Sequence, residues 1–319
     1  MLGLMQQHNL LISSLIEFAE KHHGDVEIVS RRVEGDIHRT TWSGIAQRAR
    51  QVANGLDALI LSLEALELPR GSEVLVASNT YIATILAIVR AGYQPVLVEP
   101  ELETFNMDPQ RLLSAMSSKT KAICVTHLFG KTCRMDAIGA FAQAHGLKLV
   151  EDCAQSHGAK LGQQMTGTFG DAGCFSFYPT KNLGAVGDAG AVVTNDDSLA
   201  DRLRHTRNYG SKQKYVNAFI GVNSRLDEMQ AALLRVKLRH LDAMTQHKRA
   251  LANVYFDRLP SWLSLPRRRE DEYDVFHIFG VRHARRDALR SWLLDHGVKT
   301  EVHYPIPPHR QQAMKGILA

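Results

Sequence analysis

The chain has 319 residues, of which 45% are hydrophobic and 22% are charged. This composition is typical of a folded protein with one large or two ordinary domains, and it excludes global disorder and a disulfide-rich scaffold. The longest strongly apolar stretches, such as Ala83–Val89, are too short to cross a bilayer. Leu10–Ile16 lacks a preceding basic region, which argues against a cleaved signal. The four cysteines form no C-x-x-C pair, so we expect reduced thiols and a cytoplasmic protein.

The formal net charge of +5 hides an asymmetry along the chain. Residues 201–319 carry +10 and residues 1–200 carry −5. No aromatic-interleaved basic stripe or zinc-finger spacing accompanies the basic part, so nucleic-acid binding is not predicted. A solvated basic face and an attraction for an anionic small molecule such as a nucleotide both remain open.

From Gly71 onward, short β-rich runs alternate with amphipathic segments. The predicted strands are Glu73–Ala77, Pro95–Val98, Ala122–Thr126 and Leu147–Glu151, and the predicted helices are Thr80–Arg90, Pro109–Met116 and Met135–His145. This rhythm predicts an α/β fold with a mostly parallel sheet covered by helices on both faces.

The second half continues with two strands, a long helix and a small terminal unit. The strands are predicted at Gly173–Phe177 and Ala191–Thr194, around the Gly-rich segment Gly184–Gly190. The helix carries an apolar stripe, predicted to be core or a subunit contact, at Leu226, Met229, Leu233, Val236 and Leu241. A strand-helix-strand unit is predicted over Asp274–Val281, Arg285–His296 and Val298–His303, after an exposed loop at Pro266–Asp274.

An acid and a lysine follow two different predicted strands. Asp152 lies at the carboxyl end of one strand, where open α/β sheets bind ligands, and Lys181 follows another strand 29 residues later. This pair suits pyridoxal 5′-phosphate (PLP), because a lysine forms a Schiff base with the aldehyde. The acid keeps the pyridine nitrogen protonated, which makes the ring an electron sink.

Competing motifs are weaker. The segment Gly184–Gly190 is not G-x-G-x-x-G, and no G-K-[ST] phosphate loop occurs, so a Rossmann or P-loop nucleotide site is not predicted. Asp152, Cys153 and His157 are a candidate metal set, but no second cluster completes the ligands, and we predict no metal.

From Gly55 to its end, the chain resembles the DegT-type sugar aminotransferases, which are PLP enzymes of fold type I. The motifs that carry the resemblance are Glu151–Gly158 (EDCAQSHG), Phe175–Leu183 (FSFYPTKNL), Gly187–Gly190 (GDAG), Arg207–Gly210 (RNYG), Gly221–Leu226 (GVNSRL) and His303–His309 (HYPIPPH). The subgroup it is most similar to aminates dTDP-3-oxo-6-deoxyhexoses for surface polysaccharides. The resemblance implies a homodimer that uses an amino-acid donor, L-glutamate, and a nucleotide-sugar acceptor, with no membrane or nucleic-acid partner.

The resemblance also implies roles for individual residues. Lys181 would be the Schiff-base lysine and the catalytic residue. The implied cofactor-binding residues are Asp152 at the pyridine nitrogen, Gln155 at the phenolic oxygen, Tyr81 on the ring, Ser176 with Gly55 and Leu56 at the phosphate, and Asn223 reaching the phosphate from the neighbouring subunit. His309 and Tyr304 would lie near the sugar nucleotide.

The two ends of the chain depart from the family pattern. Residues 1–53 resemble the start of long-chain fatty-acyl-CoA ligases and are predicted to be foreign to the fold, although the ligase ATP loop is absent, so adenylation is not expected. Residues 54–245 are then the PLP-binding large domain, and residues 246–319 are a small C-terminal domain that is expected to be incomplete. A non-catalytic chimera that keeps only the fold is the alternative.

Overall fold

The structure is a computed structural model that describes residues 27–31, 37–41, 52–213 and 215–318. The first two ranges form an antiparallel pair of strands, β1 (Glu27–Arg31) and β2 (Ile37–Thr41). The rest of residues 1–51 lies outside the described residues, and so does most of the ligase-like segment. Its last two residues are described. Val52 is buried and its carbonyl accepts a hydrogen bond from Gly190 N, and Ala53 N donates to the Ser224 side-chain hydroxyl.

A six-stranded sheet forms the centre of the fold. Its strands are β3 (Glu73–Ala77), β4 (Gln94–Val98), β5 (Thr120–Thr126), β6 (Lys148–Asp152), β9 (Ala172–Ser176) and β10 (Gly190–Val193). Their order across the sheet is β10-β9-β6-β5-β3-β4, and all neighbours are parallel except β10, which runs antiparallel to β9. The predicted strands and the mostly parallel sheet are confirmed, with ends shifted by one or two residues.

Helices cover both faces of this sheet. They are α1 (Gly55–Ala65), α2 (Ile82–Arg90), α3 (Leu112–Ala115), α4 (Met135–His145) and α5 (Asp197–Thr206). Alternate residues of one strand enter opposite cores, as the two-residue period of a strand requires. Val74 and Val76 pack on the side of α1, α2 and α5, whereas Leu75 and Ala77 pack on the side of α4. Helix α2 begins two residues later than predicted, because Thr80 and Tyr81 belong to the turn that leaves β3.

The long helix predicted for the second half is two helices. They are α6 (Glu228–Leu238) and α7 (Leu241–Arg258), and Leu226 precedes both. Met229, Leu233 and Val236 of the predicted stripe are exposed, while Leu234 is buried. Core packing is therefore the wrong interpretation of these three side chains within one chain. Helix α7 also runs across the predicted domain boundary at residues 245/246, and that division stays a prediction.

The C-terminal unit differs from the strand-helix-strand prediction. Its helix is present as α8 (Arg286–Asp295), but residues 274–281 and 298–303 form no strands. Val275 N donates to Gly130 O at 2.9 Å and Ile278 N donates to Phe129 O at 3.3 Å, and an isolated bridge joins Ser264 to Arg282, just beyond the first segment. A strand needs a continuous ladder of such bonds, and these isolated contacts do not form one.

Five short strands form two small sheets outside the central one, in the orders β11-β12 and β13-β7-β8. They are β7 (Lys160–Leu161), β8 (Gln164–Met165), β11 (Ser211–Gln213), β12 (Val216–Asn217) and β13 (Glu272–Tyr273). Strand β13 pairs with β7, and the Lys131 ammonium contacts the buried carboxylates of Glu272 and Asp274. The prediction that Pro266–Asp274 is an exposed loop is therefore wrong at the end of this segment. Residues 272–274 are held there by pairing with β7 and by the ion pairs with Lys131. In the described ranges, no helix has both the length and the apolar character needed to cross a membrane.

Candidate active site

Asp152 is buried where β6 ends, at the carboxyl edge of the sheet. Its Oδ2 accepts a hydrogen bond from Thr84 Oγ1 at 2.7 Å, and its Oδ1 accepts one from Ala154 N at 3.0 Å. The one hydroxyl proton of Thr84 is donated to Asp152, so Thr84 must accept from Thr80. Thr80 in turn must accept from Thr126, and both of these O–O distances are 2.9 Å. Burial raises the pKa of Asp152, and these donors together with the Lys181 ammonium oppose that rise. The hydroxyl chain thus favours the carboxylate inside an apolar surrounding.

Lys181 follows β9 in a turn closed by a hydrogen bond from its own N–H to Tyr178 O at 2.9 Å. Burial lowers the pKa of its ammonium, and attraction to Asp152 offsets part of that effect. Its neighbour Asn182 is buried and accepts from Lys248 Nζ at 2.8 Å. A lysine with a lowered pKa holds more of its amine neutral at ordinary pH, which is what a nucleophile or a proton acceptor requires.

A small concavity lies between the start of α1 and the end of β9. A Cβ placed on Gly55 would lie 2.5 Å from Ser176 Cβ and 2.9 Å from Ser176 Oγ, so only glycine permits this approach. Asn54 caps α1 by accepting from Asp57 N at 2.8 Å. Among the described residues, no acceptor is found for the N–H groups of Gly55 and Leu56. Two free amides at a helix N-terminus beside a serine hydroxyl form a binding site for an anion such as phosphate.

Two aromatic side chains contact each other near Gln155. Tyr81 and Tyr304 lie with ring centroids 5.3 Å apart. Gln155 is buried, accepts from Phe129 N at 2.6 Å and donates to the Tyr304 hydroxyl at 3.2 Å. Burial, partly offset by this hydrogen bond, raises the pKa of Tyr304 to about 12, so its hydroxyl stays protonated and can donate.

Two predicted site residues lie apart from this group. Asn223 is exposed and forms an isolated bridge with Asn208, and His309 is exposed in the 3₁₀ turn Pro308–Arg310. Neither contacts the other site residues within the described chain. A contact of Asn223 with a second subunit stays a prediction, as does a contact of His309 with a substrate.

Sequence reasoning missed several groups that shape the site. Glu151 is fully buried and faces away from Asp152. Its Oε1 accepts from Phe169 N and Gly170 N, and its Oε2 accepts from Gly167 N and His127 Nε2, at 2.7–2.9 Å. His127, Glu151 and Cys153 lie close enough for a metal ion, but the carboxylate already has four donors. Glu151 therefore anchors the loops that carry Phe129 and Gly167.

His157 is a second buried group that the sequence did not explain. Its ring packs between Phe175 and Phe177, with centroid distances of 5.4 and 5.5 Å. In the described part of the chain, neither ring nitrogen has a hydrogen-bond partner of ordinary geometry. Burial and the nearby Lys181 cation lower the pKa of His157 to about 3, so the imidazole is neutral in the folded protein.

This imidazole makes the protein sensitive to acid. The unfolded chain titrates His157 near the ordinary value of 6.5, so below that pH the unfolded state binds a proton that the folded state refuses. The free energy of unfolding should therefore fall as pH drops from 6.5 towards 3, with about 2 kcal/mol from His157 already lost at pH 5. Urea denaturation of wild type and His157→Leu at pH 7.5 and pH 5 measures this difference. His240→Leu, at an exposed histidine, is the control, and equal acid losses in all three proteins would contradict the prediction.

The arrangement fits PLP. The phosphate would meet two free amides and a serine hydroxyl at the Gly55–Ser176 concavity. The pyridine nitrogen would meet the Asp152 carboxylate, and the aldehyde would meet the half-buried Lys181. No feature of these residues conflicts with such a group, and the fold and site together define a PLP-dependent aminotransferase.

Comparison with known proteins gives the same class. The profile of the DegT/DnrJ/EryC1/StrS aminotransferase family matches residues 40–317, and the chain belongs to this family. It is 51% identical over 263 residues to the dTDP-3-amino-3,6-dideoxy-alpha-D-galactopyranose transaminase of Aneurinibacillus thermoaerophilus, covering 82% of this chain and 72% of the relative. It is 40% identical to a pleiotropic regulatory protein of Geobacillus stearothermophilus, covering 98% of this chain and 85% of the relative. The solved structure of S. venezuelae DesV in complex with a ketimine intermediate superposes with a TM-score of 0.83 at 41% identity, covering 97% of this chain and 83% of that one.

These matches confirm the predicted family, the fold class, the aminotransferase activity and the PLP cofactor. They do not show the ligase resemblance of residues 1–53, and the family match itself begins inside that segment, at residue 40. The foreign origin of the segment stays a prediction. The non-catalytic alternative is not favoured.

Proposed function

We propose that this protein transfers the amino group of L-glutamate to C3 of a dTDP-3-oxo-6-deoxyhexose, for deoxyamino-sugar and polysaccharide biosynthesis. The observation that carries the proposal is the convergence of Asp152, Lys181 and the Gly55–Ser176 concavity at one edge of the sheet. The 51% identity to a dTDP-3-amino-sugar transaminase supports the substrate class.

Each site residue has a role in this proposal. Ser176 Oγ and the amides of Gly55 and Leu56 would hold the phosphate, Tyr81 would pack on the ring, and Gln155 would contact the phenolic oxygen. When bound, PLP would supply an electron sink that stabilises negative charge on the carbon bearing the amino group. Thr84 and Ala154 fix both oxygens of Asp152, so its carboxylate would be held in place for the pyridine nitrogen. Lys181 Nζ would remove the proton from the donor carbon and return a proton to the acceptor, as its lowered pKa allows.

A cavity next to Tyr304 supports a nucleotide-sugar substrate. It encloses about 970 Å³, the size of pockets that hold ligands of this class. Its wall includes Phe105 and Phe129, and the Arg282 guanidinium lies 5.8 Å from the Phe105 ring centroid. Among the ion pairs of the described ranges, Arg267 pairs with Glu103 and Arg286 pairs with Asp287, and none involves Arg282. Its charge is therefore available to a diphosphate. His309 is not among the residues that line this cavity, and its contact with the sugar nucleotide is proposed only from the family resemblance.

A homodimer is part of the proposal. Several apolar side chains of the second half are exposed, and a patch of this kind marks a contact surface. They include Tyr215, Ile220, Val222, Met229, Leu233 and Val236. In such a dimer, Asn223 would reach the phosphate of the partner subunit. The free thiols of all four cysteines support a cytoplasmic location.

The experiment is a transfer assay on the full chain with PLP. L-Glutamate labelled with ¹⁵N is incubated with a dTDP-3-oxo-6-deoxyhexose or with a UDP-linked 3-oxo sugar, and the products are analysed by mass spectrometry. We expect the label in the dTDP sugar, with 2-oxoglutarate formed in equal amount. Label in neither sugar would reject the proposal, and label in the UDP sugar alone would correct the nucleotide.

A further inference from the structure

Ser224 joins two points that flank the phosphate turn. It is fully buried, and its Oγ accepts from Ala53 N at 2.9 Å while donating to Asp57 Oδ2 at 2.7 Å. The serine is held in place by its own N–H, which donates to Arg207 O at 2.9 Å. Ser224, more than 160 residues away in sequence, therefore forms hydrogen bonds with the residues on both sides of Gly55 and Leu56.

Asp57 is the third residue of α1, a position where an acidic side chain has a preferred direction. An acidic side chain there commonly folds back towards the helix N-terminus and accepts from the backbone N–H of the N-cap residue, here Asn54, next to Gly55 and Leu56. In this protein its backbone N–H is taken by Asn54 Oδ1, and its carboxylate is turned towards Ser224. The amides of Gly55 and Leu56 are left without an internal acceptor. A carboxylate released from Ser224 would compete for those amides and repel a phosphate at close range.

We propose that Ser224 is a positioning residue for the cofactor phosphate, which acts by holding the Asp57 carboxylate away from the Gly55 and Leu56 amides and by fixing the backbone at Ala53. The inference rests on the proposed cofactor site. The inference predicts that the Asp57 carboxylate weakens phosphate binding when Ser224 does not hold it, because the two negative charges then repel each other.

The neighbour of Ser224 extends the consequence to the dimer. Ser224 is buried and Asn223 is exposed, as expected for adjacent residues of an extended segment that face opposite sides. If Asn223 contacts the phosphate bound by the partner subunit, then residues 223–224 act at two phosphate sites. Ser224 supports the site of its own subunit, and Asn223 completes the site of the partner.

The test measures equilibrium binding of PLP and of pyridoxal, which lacks the phosphate, to the full chain after removal of cofactor. Ser224→Ala should weaken PLP binding about tenfold and change pyridoxal binding less than about twofold, since the loss acts through the phosphate. Adding Asp57→Ala to Ser224→Ala should restore most of the PLP affinity. Ser224→Thr keeps the hydroxyl and should bind as wild type does. The control is Ser62→Ala. Ser62 is also fully buried, but it lies in α1 and contacts Cys174 rather than the phosphate turn.

The outcomes are distinguishable. Equal losses for PLP and pyridoxal, or no recovery on removing Asp57, would overturn the inference and leave Ser224 a packing residue. If Ser224→Ala does not fold, Asp57→Ala alone decides, because the inference requires it to bind PLP at least as tightly as wild type. A wild-type chain that binds neither ligand would refute the proposed function instead.

Discussion

Replacing Lys181 with alanine should abolish covalent attachment of PLP and reduce amino transfer by more than about 10⁴-fold, since one amine serves as both nucleophile and proton carrier. The physical basis is the half-buried position of Lys181 in the turn after β9, which lowers the pKa of this lysine and places it within the field of Asp152. The measurement is borohydride reduction of the PLP-loaded protein followed by intact mass and peptide mapping. Wild type should gain one reduced cofactor on Lys181, and the variant should gain none.

Lys248→Met is the matched control for this experiment. Lys248 is a half-buried lysine whose pKa is also lowered by burial, and it contacts the neighbouring residue, Asn182. Reactivity that followed burial alone would label both lysines, whereas the site described above selects Lys181. A Lys181→Ala protein that still traps PLP covalently, or a label found on Lys248 in wild type, would refute the assignment.

The second large effect is expected for Asp152→Asn. The variant should fold and bind PLP, because an asparagine can keep both contacts of Asp152 when the hydroxyls of Thr84, Thr80 and Thr126 reverse their donor direction. It should lose amino transfer by at least about 10³-fold, the scale of removing a principal electrostatic group. A neutral amide no longer holds the pyridine nitrogen protonated, and the electron sink weakens.

Two measurements separate this effect from damage to the fold. Thermal unfolding should shift by only a few degrees, and the absorbance of the bound cofactor should change its pH dependence while the turnover number falls. Asp171→Asn is the control, because Asp171 is a partly buried carboxylate at the opposite end of the sheet that accepts from Leu149 N at 2.8 Å. Near-normal turnover in Asp152→Asn would refute the electrostatic role.

The C-terminal part of the chain shows where pattern reading fails. Residues 274–281 and 298–303 have the composition of strands, yet neither forms a strand ladder among the described residues; the first has only isolated backbone contacts with Phe129 and Gly130. Strand formation depends on a partner and not on the segment alone. The apolar stripe of α6 shows the same limit, because helical spacing reports an apolar face without reporting which surface covers it.

The site separates in the same way. Asp152, Ser176 and Lys181 follow strands of one parallel sheet, so their convergence at its carboxyl edge follows from the sequence pattern. The contacts that tune them join distant positions. Thr84 lies 68 residues from Asp152, and Ser224 lies 167 residues from Asp57. No periodicity or spacing encodes such pairs, because each depends on how two elements pack.

The sequence by itself determined the parallel α/β fold and the family, and it singled out Asp152, Lys181 and the turn at Gly55 and Leu56 as candidate site residues. These inferences depend on local periodicity and on motifs of contiguous residues. Only the tertiary structure decided which side chains surround them. It turned the Asp57 carboxylate towards Ser224, ordered three threonine hydroxyls towards Asp152, and packed the buried His157 ring against Phe175 and Phe177. Hydrogen bonding and burial act through space between residues that the chain order keeps far apart, and for that reason their arrangement had to be read from the folded protein.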